Sequence, residues 1–235
     1  MNYTTRALFL RSIRYGERAF ILRFYTERQG LKSYVSKGNP PRFGKSKNAS
    51  FSPLSIHQLE AAPTRKGGLD YLRTAHTELS FLTSHPAKTA IVFFLAELLD
   101  QVLREAESNP PLFDYLIDQI RFLKGAEHYA NFHLCFVLDL TRYLGFYPDL
   151  QGLPTPYFGL QEGTYLPEKP ESYFVTGAAL DLLQRLSRLR VTEPKETFSR
   201  AQRKQLLNTL ERYYRLHLAG FKPFQSLSVL GQLFD

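Results

Sequence analysis

The chain has 235 residues, 43% of them hydrophobic and 22% charged, enough for one large or two small domains around a real core and too apolar for a disordered polymer. Its formal net charge of +8 is unevenly spread: residues 1–80 hold 14 Lys and Arg against five Asp and Glu, while residues 81–235 hold 16 against 17. A single cysteine, Cys135, excludes an internal disulfide and a multi-cysteine zinc site, and fits a reducing compartment.

Near the start, Arg6, Arg11, Arg14 and Arg18 break every short apolar run, so no secretory leader is expected. The most apolar segment, Ala90 to Leu99, is too short to span a bilayer and contains Glu97. A cytoplasmic protein is therefore the expectation. A basic third joined to a near-neutral remainder implies a domain that meets a polyanion and a second domain with another task.

The first 80 residues read as short strands with turn punctuation. Ala7–Ile13, Ala19–Thr26 and Leu31–Lys37 are rich in aromatic and branched residues and are separated by Tyr15-Gly16 and Gln29-Gly30. In the second strand Phe20, Leu22 and Phe24 share one face; in the third, Leu31, Ser33 and Val35 alternate with Lys32, Tyr34 and Ser36. Leu54–Leu59 and Leu69–Thr74 complete a set of five, which suggests a small Greek-key barrel of the OB type. Between strands three and four runs a polar loop, Gly38 to Ser50, with two prolines and the cations Arg42, Lys45 and Lys47. A second basic turn, Thr64-Arg-Lys-Gly-Gly68, joins strands four and five.

From residue 84 the apolar period becomes helical. Ser84-His-Pro86 opens a helix whose apolar face is Ile91, Phe94, Leu95, Leu98 and Val102, running to about Glu107. Asn109-Pro-Pro begins a second, with Leu112, Leu116, Ile120 and Leu123 recurring until Gly125. A third, from about Glu127 to Leu144, is apolar on most faces and should be buried, with Gly145 as its C-cap. Residues 146–170 form a Gly/Pro-rich insert with a hairpin, Tyr157–Leu160 and Thr164–Leu166. Helices at about 177–190 and 199–218 end the chain. The expected architecture is thus a multi-domain β + α chain: an OB-fold barrel over 1–80, then an all-α helical domain over 81–235 interrupted by the insert.

Several motifs resemble those of a known family. Leu10-Arg-Ser-Ile-Arg-Tyr-Gly-Glu17, Phe24-Tyr-Thr-Glu-Arg-Gln-Gly-Leu31 and Val35-Ser-Lys-Gly38 resemble the first barrel strands of the bacterial recombination mediator RecO. The helical part is similar to RecO chains of the Bacteroidetes type through Glu78-Leu-Ser-Phe-Leu-Thr-Ser-His-Pro-Ala-Lys88, Asn109-Pro-Pro-Leu-Phe113, Ala130-Asn-Phe-His133, Arg142-Tyr-Leu-Gly-Phe-Tyr-Pro148 and Tyr213-Tyr-Arg-Leu-His217. The resemblance implies an OB-fold domain that binds single- and double-stranded DNA, and strand annealing. It implies partnership with RecR and with the acidic C-terminal tail of single-stranded DNA-binding protein (SSB), so that RecA loads onto SSB-coated DNA. Some family members carry a four-cysteine zinc site in the insert; Tyr147 to Pro167 here contains no cysteine, so that metal is expected to be absent and no cofactor is implied.

Site residues follow from the chemistry of a phosphate-tracking groove, which needs cations on a sheet and its loops, and aromatic rings on which bases stack. Arg14, Arg18, Arg23, Lys32, Lys37, Arg42, Lys45 and Lys47, with Tyr34 and Phe43, supply both types and are the candidate DNA-binding set. In the helical part Arg142, Arg200, Arg203, Lys204, Arg212 and Arg215 are candidates for an acidic peptide ending in an apolar residue, each equally explicable as a solvated helix face.

Catalytic signals are missing. Phe43-Gly-Lys-Ser46 fails as a P-loop because Asn39 stands where glycine is needed and no helix opens after it. The six histidines form no HExxH, and carboxylates are scarce in the basic third, so no catalytic residue is assigned and a non-enzymatic role is expected. The charge distribution alone would equally suit an OB-fold RNA- or tRNA-binding protein, and less well a nucleic-acid-processing enzyme.

Overall fold

The computed structural model describes residues 2–17, 19–37, 51–64, 68–81, 85–103, 108–152, 155–190 and 198–226. They form two compact units, Met1–Gly125 and Ala126–Asp235. The first holds a closed five-stranded barrel, β1 (Tyr3–Tyr15), β2 (Ala19–Thr26), β3 (Gly30–Lys37), β4 (Ile56–Ala62) and β5 (Asp70–Leu79), ordered β1-β2-β3-β5-β4. Two helices follow in the same unit, α1 (Pro86–Val102) and α2 (Pro110–Gly125). The change from strand to helix thus falls near residue 80, whereas the first compact unit continues to the end of α2.

Closure depends on β1. Its first half pairs with β4, from Tyr3↔Ala61 to Leu8↔Ile56, and its second half with β2, from Ala7↔Thr26 to Tyr15↔Ala19. The register slips between Phe9 and Arg11, where one extra residue bends the strand from one neighbour to the other. The circuit closes through a short parallel contact, Tyr34↔Asp70 and Val35↔Tyr71, between β3 and β5. Inside lie Ala7, Phe9, Leu22, Phe24, Tyr34, Leu59 and Ala61, with Phe51 entering from just before β4. Phe9, Phe24 and Phe51 pack with ring centroids 5.2–5.8 Å apart. Burying each such ring is worth about 1.5–3 kcal/mol.

Every residue from Phe51 to His57 is buried. Leu54 sits at φ 59°, a left-handed backbone held by two bonds to β1, Leu54 N–H to Phe9 O at 2.8 Å and Phe9 N–H to Ser55 O at 2.9 Å. Ser55 Oγ lies 2.6 Å from His57 Nε2, a spacing that would suit a nucleophile and its base. The hydroxyl proton, however, is donated to Ser52 O at 2.6 Å. The ring must therefore donate from Nε2, leaving Nδ1 to accept from the Thr77 hydroxyl at 3.4 Å. This arrangement fixes a corner of the barrel and activates nothing.

The second unit contains α3 (Phe132–Leu144), β6 (Tyr157–Gly159), β7 (Thr164–Leu166), β8 (Phe174–Thr176), α4 (Gly177–Arg188) and α5 (Arg200–His217). Helix α3 begins later than its sequence suggests: Tyr129 O and Asn131 O accept the first turn's amides, and the polar run before them stays outside. Residues Phe132 to Leu138 are continuously buried, and Gly145 ends the helix at φ 84°. Helix α5 starts with a reciprocal cap between Ser199 and Gln202. The predicted hairpin of the insert forms and gains a third strand, β8, which pairs with β6.

Burial holds two histidines neutral. His57, fully enclosed, titrates down at about 4, and His133, with Arg203 adding to its burial, at about 3. The unfolded chain takes up a proton at each near pH 6.5. Stability is therefore complete above pH 6.5 and declines as the pH falls through that value toward 4. Urea unfolding at pH 7.5 and pH 4 should show the barrel losing about 3 kcal/mol from His57 alone.

Candidate nucleic-acid interface

The ladder registers decide which side of the barrel wall each candidate occupies. Leu22 pairs with Tyr34, so Tyr34 shares the inner face, where its ring is fully buried edge-on to Phe24. The sequence-based assignment of Tyr34 as a base-stacking platform is corrected accordingly: it is a core residue. Alternation in β3 left both faces plausible, and the cross-strand partner places Lys32, Tyr34 and Ser36 on the inner one.

Lys32 sits at the barrel's end in a polar knot. Its ammonium is 2.7 Å from Asp70 Oδ2, donates to Gln29, and lies 5.1 Å from the Tyr3 ring centroid. The Tyr3 hydroxyl donates to the same carboxylate at 2.6 Å, and the Thr64 amide to its other oxygen. Burial works to raise the Asp70 carboxyl, but these donors outweigh it and hold it below the usual range. Tyr3 is pushed up to about 12 by its burial and by Asp70.

Arg23 lies on the opposite, outer face. Its Nε is 3.0 Å from Asp100 of α1, and Arg11, paired to it across β1 and β2, is 2.9 Å from the same carboxylate. Arg6 is likewise engaged, with two bonds to Glu78, which also accepts from Arg121 of α2. These bonds, against burial, hold the Glu78 carboxyl low. Arg23 and Lys32 therefore do not form one patch, and a phosphate reaching either would compete with an internal carboxylate. Arg14 is exposed, as are Arg28 in the turn after β2 and Arg73 on β5, which the sequence did not single out. Lys37 ends β3; its side chain and all of Arg18, Arg42, Phe43, Lys45 and Lys47 lie outside the described residues.

The outer face is covered up to the Asp100 contact, where Tyr25 packs against Phe113 of α2, and is open beyond it. There Ile13, Tyr15 and Tyr71 are 40%, 59% and 39% exposed. None of the three was picked out from the sequence, because only the register shows which aromatics leave the core.

In the second unit, Lys204 and Arg212 of α5 flank a groove of about 530 Å³ whose other wall is β8 and the start of α4, including Phe174, Val175 and Ala179. Arg200 lies one turn before Lys204, exposed. Arg203 turns away and donates to Phe198 O, and Arg142 stacks 3.3 Å from the Tyr147 ring centroid beside Asp139. Arg215 is exposed near the end of α5. The structure thus gathers two of the six peptide-binding candidates at the groove.

The insert is fastened by aromatic groups. Phe146 stacks flat on His217, Tyr213 donates to Phe146 O at 2.8 Å, and His217 Nε2 is 3.0 Å from Leu160 O. Gly163 turns at φ 67° with the Tyr213 hydroxyl where a side chain would begin. Among the described residues no group of three His, Cys, Asp or Glu is arranged to hold a metal, and no helix is long and apolar enough to cross a membrane. Cys135 is buried, its thiol pushed up to about 12 by that burial.

Two family models match the chain in succession: Recombination protein O N terminal over residues 1–81 and Recombination protein O C terminal over residues 84–227. The chain belongs to the RecO family. Similar relatives, each named DNA repair protein RecO, include those of Christiangramia forsetii, 38% identical over 98% of both chains, and Flavobacterium johnsoniae, 36% identical over the full length of both. The Bacteroides fragilis relative is 33% identical, again over the full length of both. Family membership places the chain in DNA repair and recombination, and the OB-type barrel is the family's N-terminal module.

Removing the Tyr34 ring tests its place in the core. Tyr34→Ala should cost about 3–5 kcal/mol in urea unfolding, as for other large aromatic deletions, and Tyr34→Phe much less. Unchanged stability in the alanine variant would put the ring back on the surface.

Proposed function

We propose that the chain is a non-enzymatic recombination mediator that holds DNA on its barrel and engages protein partners through its helical part. The observation that supports this best is the coincidence of a closed OB-type barrel with the whole of the chain's positive excess. In this reading the barrel binds single- and double-stranded DNA and brings complementary strands together for annealing. The near-neutral helical part meets RecR and the acidic tail of SSB, so that RecA gains access to SSB-coated strands in the cytoplasm.

Because Arg6 and Lys32 already face carboxylates, and Arg11 and Arg23 share one, Arg42, Lys45 and Lys47 carry much of the phosphate contact in this proposal. Neutralising the three together should weaken binding to all sequences alike. It should also flatten the slope of log affinity against log salt by roughly 0.7–0.9 for each phosphate left without its cation. Titrating single-stranded DNA, duplex DNA and RNA at one salt concentration separates this reading from an RNA-binding one, which predicts the tightest binding to RNA.

The groove of α5 supplies the peptide half of the proposal. An acidic tail ending in an apolar residue matches two cations beside an apolar wall. Lys204→Glu with Arg212→Glu should reduce affinity for an SSB-tail peptide at least tenfold in a fluorescence anisotropy titration while leaving single-stranded DNA binding intact. Retained peptide binding would move the partner site elsewhere.

A further inference from the structure

The outer face of the barrel beyond Asp100 carries an ordered row. Ile13 pairs with Ile21, Ile21 with Val35 and Val35 with Tyr71, so four strands contribute neighbouring side chains to one face. Residues paired across a ladder point to the same side, and the inner set beside them (Leu22, Tyr34, Leu72) confirms the alternation. At strand spacing the row spans about 14 Å. Two residues further along β1 lies Tyr15, at 59% exposure, and level with it on β5 the exposed Arg73. On the opposite side lie Arg11 and Arg23, paired with each other across the strands, and level with them Leu69, just before β5, at 39% exposure.

This is a pattern with two parallel tracks, one apolar and aromatic, one cationic. Arg11 and Arg23 share the carboxylate of Asp100, and Arg11 remains about half exposed. A polymer that presents flat apolar faces on one side and anions at regular spacing on the other fits both tracks at once. Single-stranded nucleic acid has that chemistry, whereas a duplex hides its base faces. A hydrophobic protein partner would use the apolar track but leave the bordering guanidiniums without an anion.

We infer that bases of single-stranded DNA stack on Tyr15 and Tyr71 across the Ile13–Ile21–Val35 row, with the adjoining phosphates on the Arg11–Arg23 track. The inference rests on the DNA-binding reading above and adds the path, the residues and a preference for unpaired bases. Neither tyrosine belongs to the core cluster, so their replacement leaves the barrel's packing in place.

The chain contains no tryptophan, so Tyr15→Trp and Tyr71→Trp each install a unique emitter in the full-length protein. Oligo(dT) should quench that emission on binding. Tyr15→Ala and Tyr71→Ala should each weaken oligo(dT) binding by about 5- to 100-fold, with the salt slope nearly unchanged and duplex affinity within twofold of the parent. Tyr15→Phe should restore most of the loss, since the ring and not the hydroxyl does the stacking. If the parent binds oligo(dT) but both alanine variants match it and neither tryptophan responds, the inference falls while the DNA-binding reading stands. Equal losses on duplex and single strand, or loss of a protein partner with DNA binding intact, would also overturn it. If the parent binds no DNA, both readings fall together.

Discussion

Every strand of a closed barrel serves two neighbours, and β1 does so by dividing its length between them. Its thirteen residues cannot remain straight while bonding to β4 along one half and β2 along the other. The slip between Phe9 and Arg11 resolves the conflict, and its effects spread outward. Phe9 turns inward to meet Phe24 and Phe51, and its backbone holds the left-handed Leu54. Beyond the bend, Arg11 and Ile13 face outward, which creates both the contact with Asp100 and the open row past it. Closure, core and exposed face thus depend on one irregularity.

Much of this was legible because strongly apolar residues recur with the right period. In β2, Phe20, Leu22 and Phe24 have only polar or mixed competitors, so the inner face followed from alternation. In β3 the two faces offered Leu31 and Val35 against Tyr34, nearly equal in apolarity, and only the pairing with Leu22 settles the choice. The helices were readable for the same reason, with Pro86, Asn109 and Gly145 marking ends where a ring, a side-chain acceptor or a left-handed turn was required. Strand β8, three residues long and paired with β6 across intervening turns, has too little period to announce itself.

Charged residues were legible as to type and not as to partner. The basic excess is plain in the composition, yet Asp100 lies far along the chain from Arg11 and Arg23, and Asp70 from Lys32. A cation that answers a carboxylate within its own fold contributes less to an outside anion than a count of charges suggests. Lys88 is the extreme case: it is buried and donates to Lys124 O at the end of α2, where the helix presents its negative pole. Burial pulls its pKa down, and its charge belongs to the interior architecture.

The shared carboxylate of Asp100 also makes two events thermodynamically inseparable. Helix α1 grips the barrel partly through Arg11 and Arg23, and those guanidiniums border the exposed row. Any anion that draws one of them away must work against that grip, and by reciprocity a tighter grip weakens the anion by the same free energy. The strength with which α1 sits on the barrel is therefore a dial on the affinity of the face beside it, set by residues that never touch the ligand.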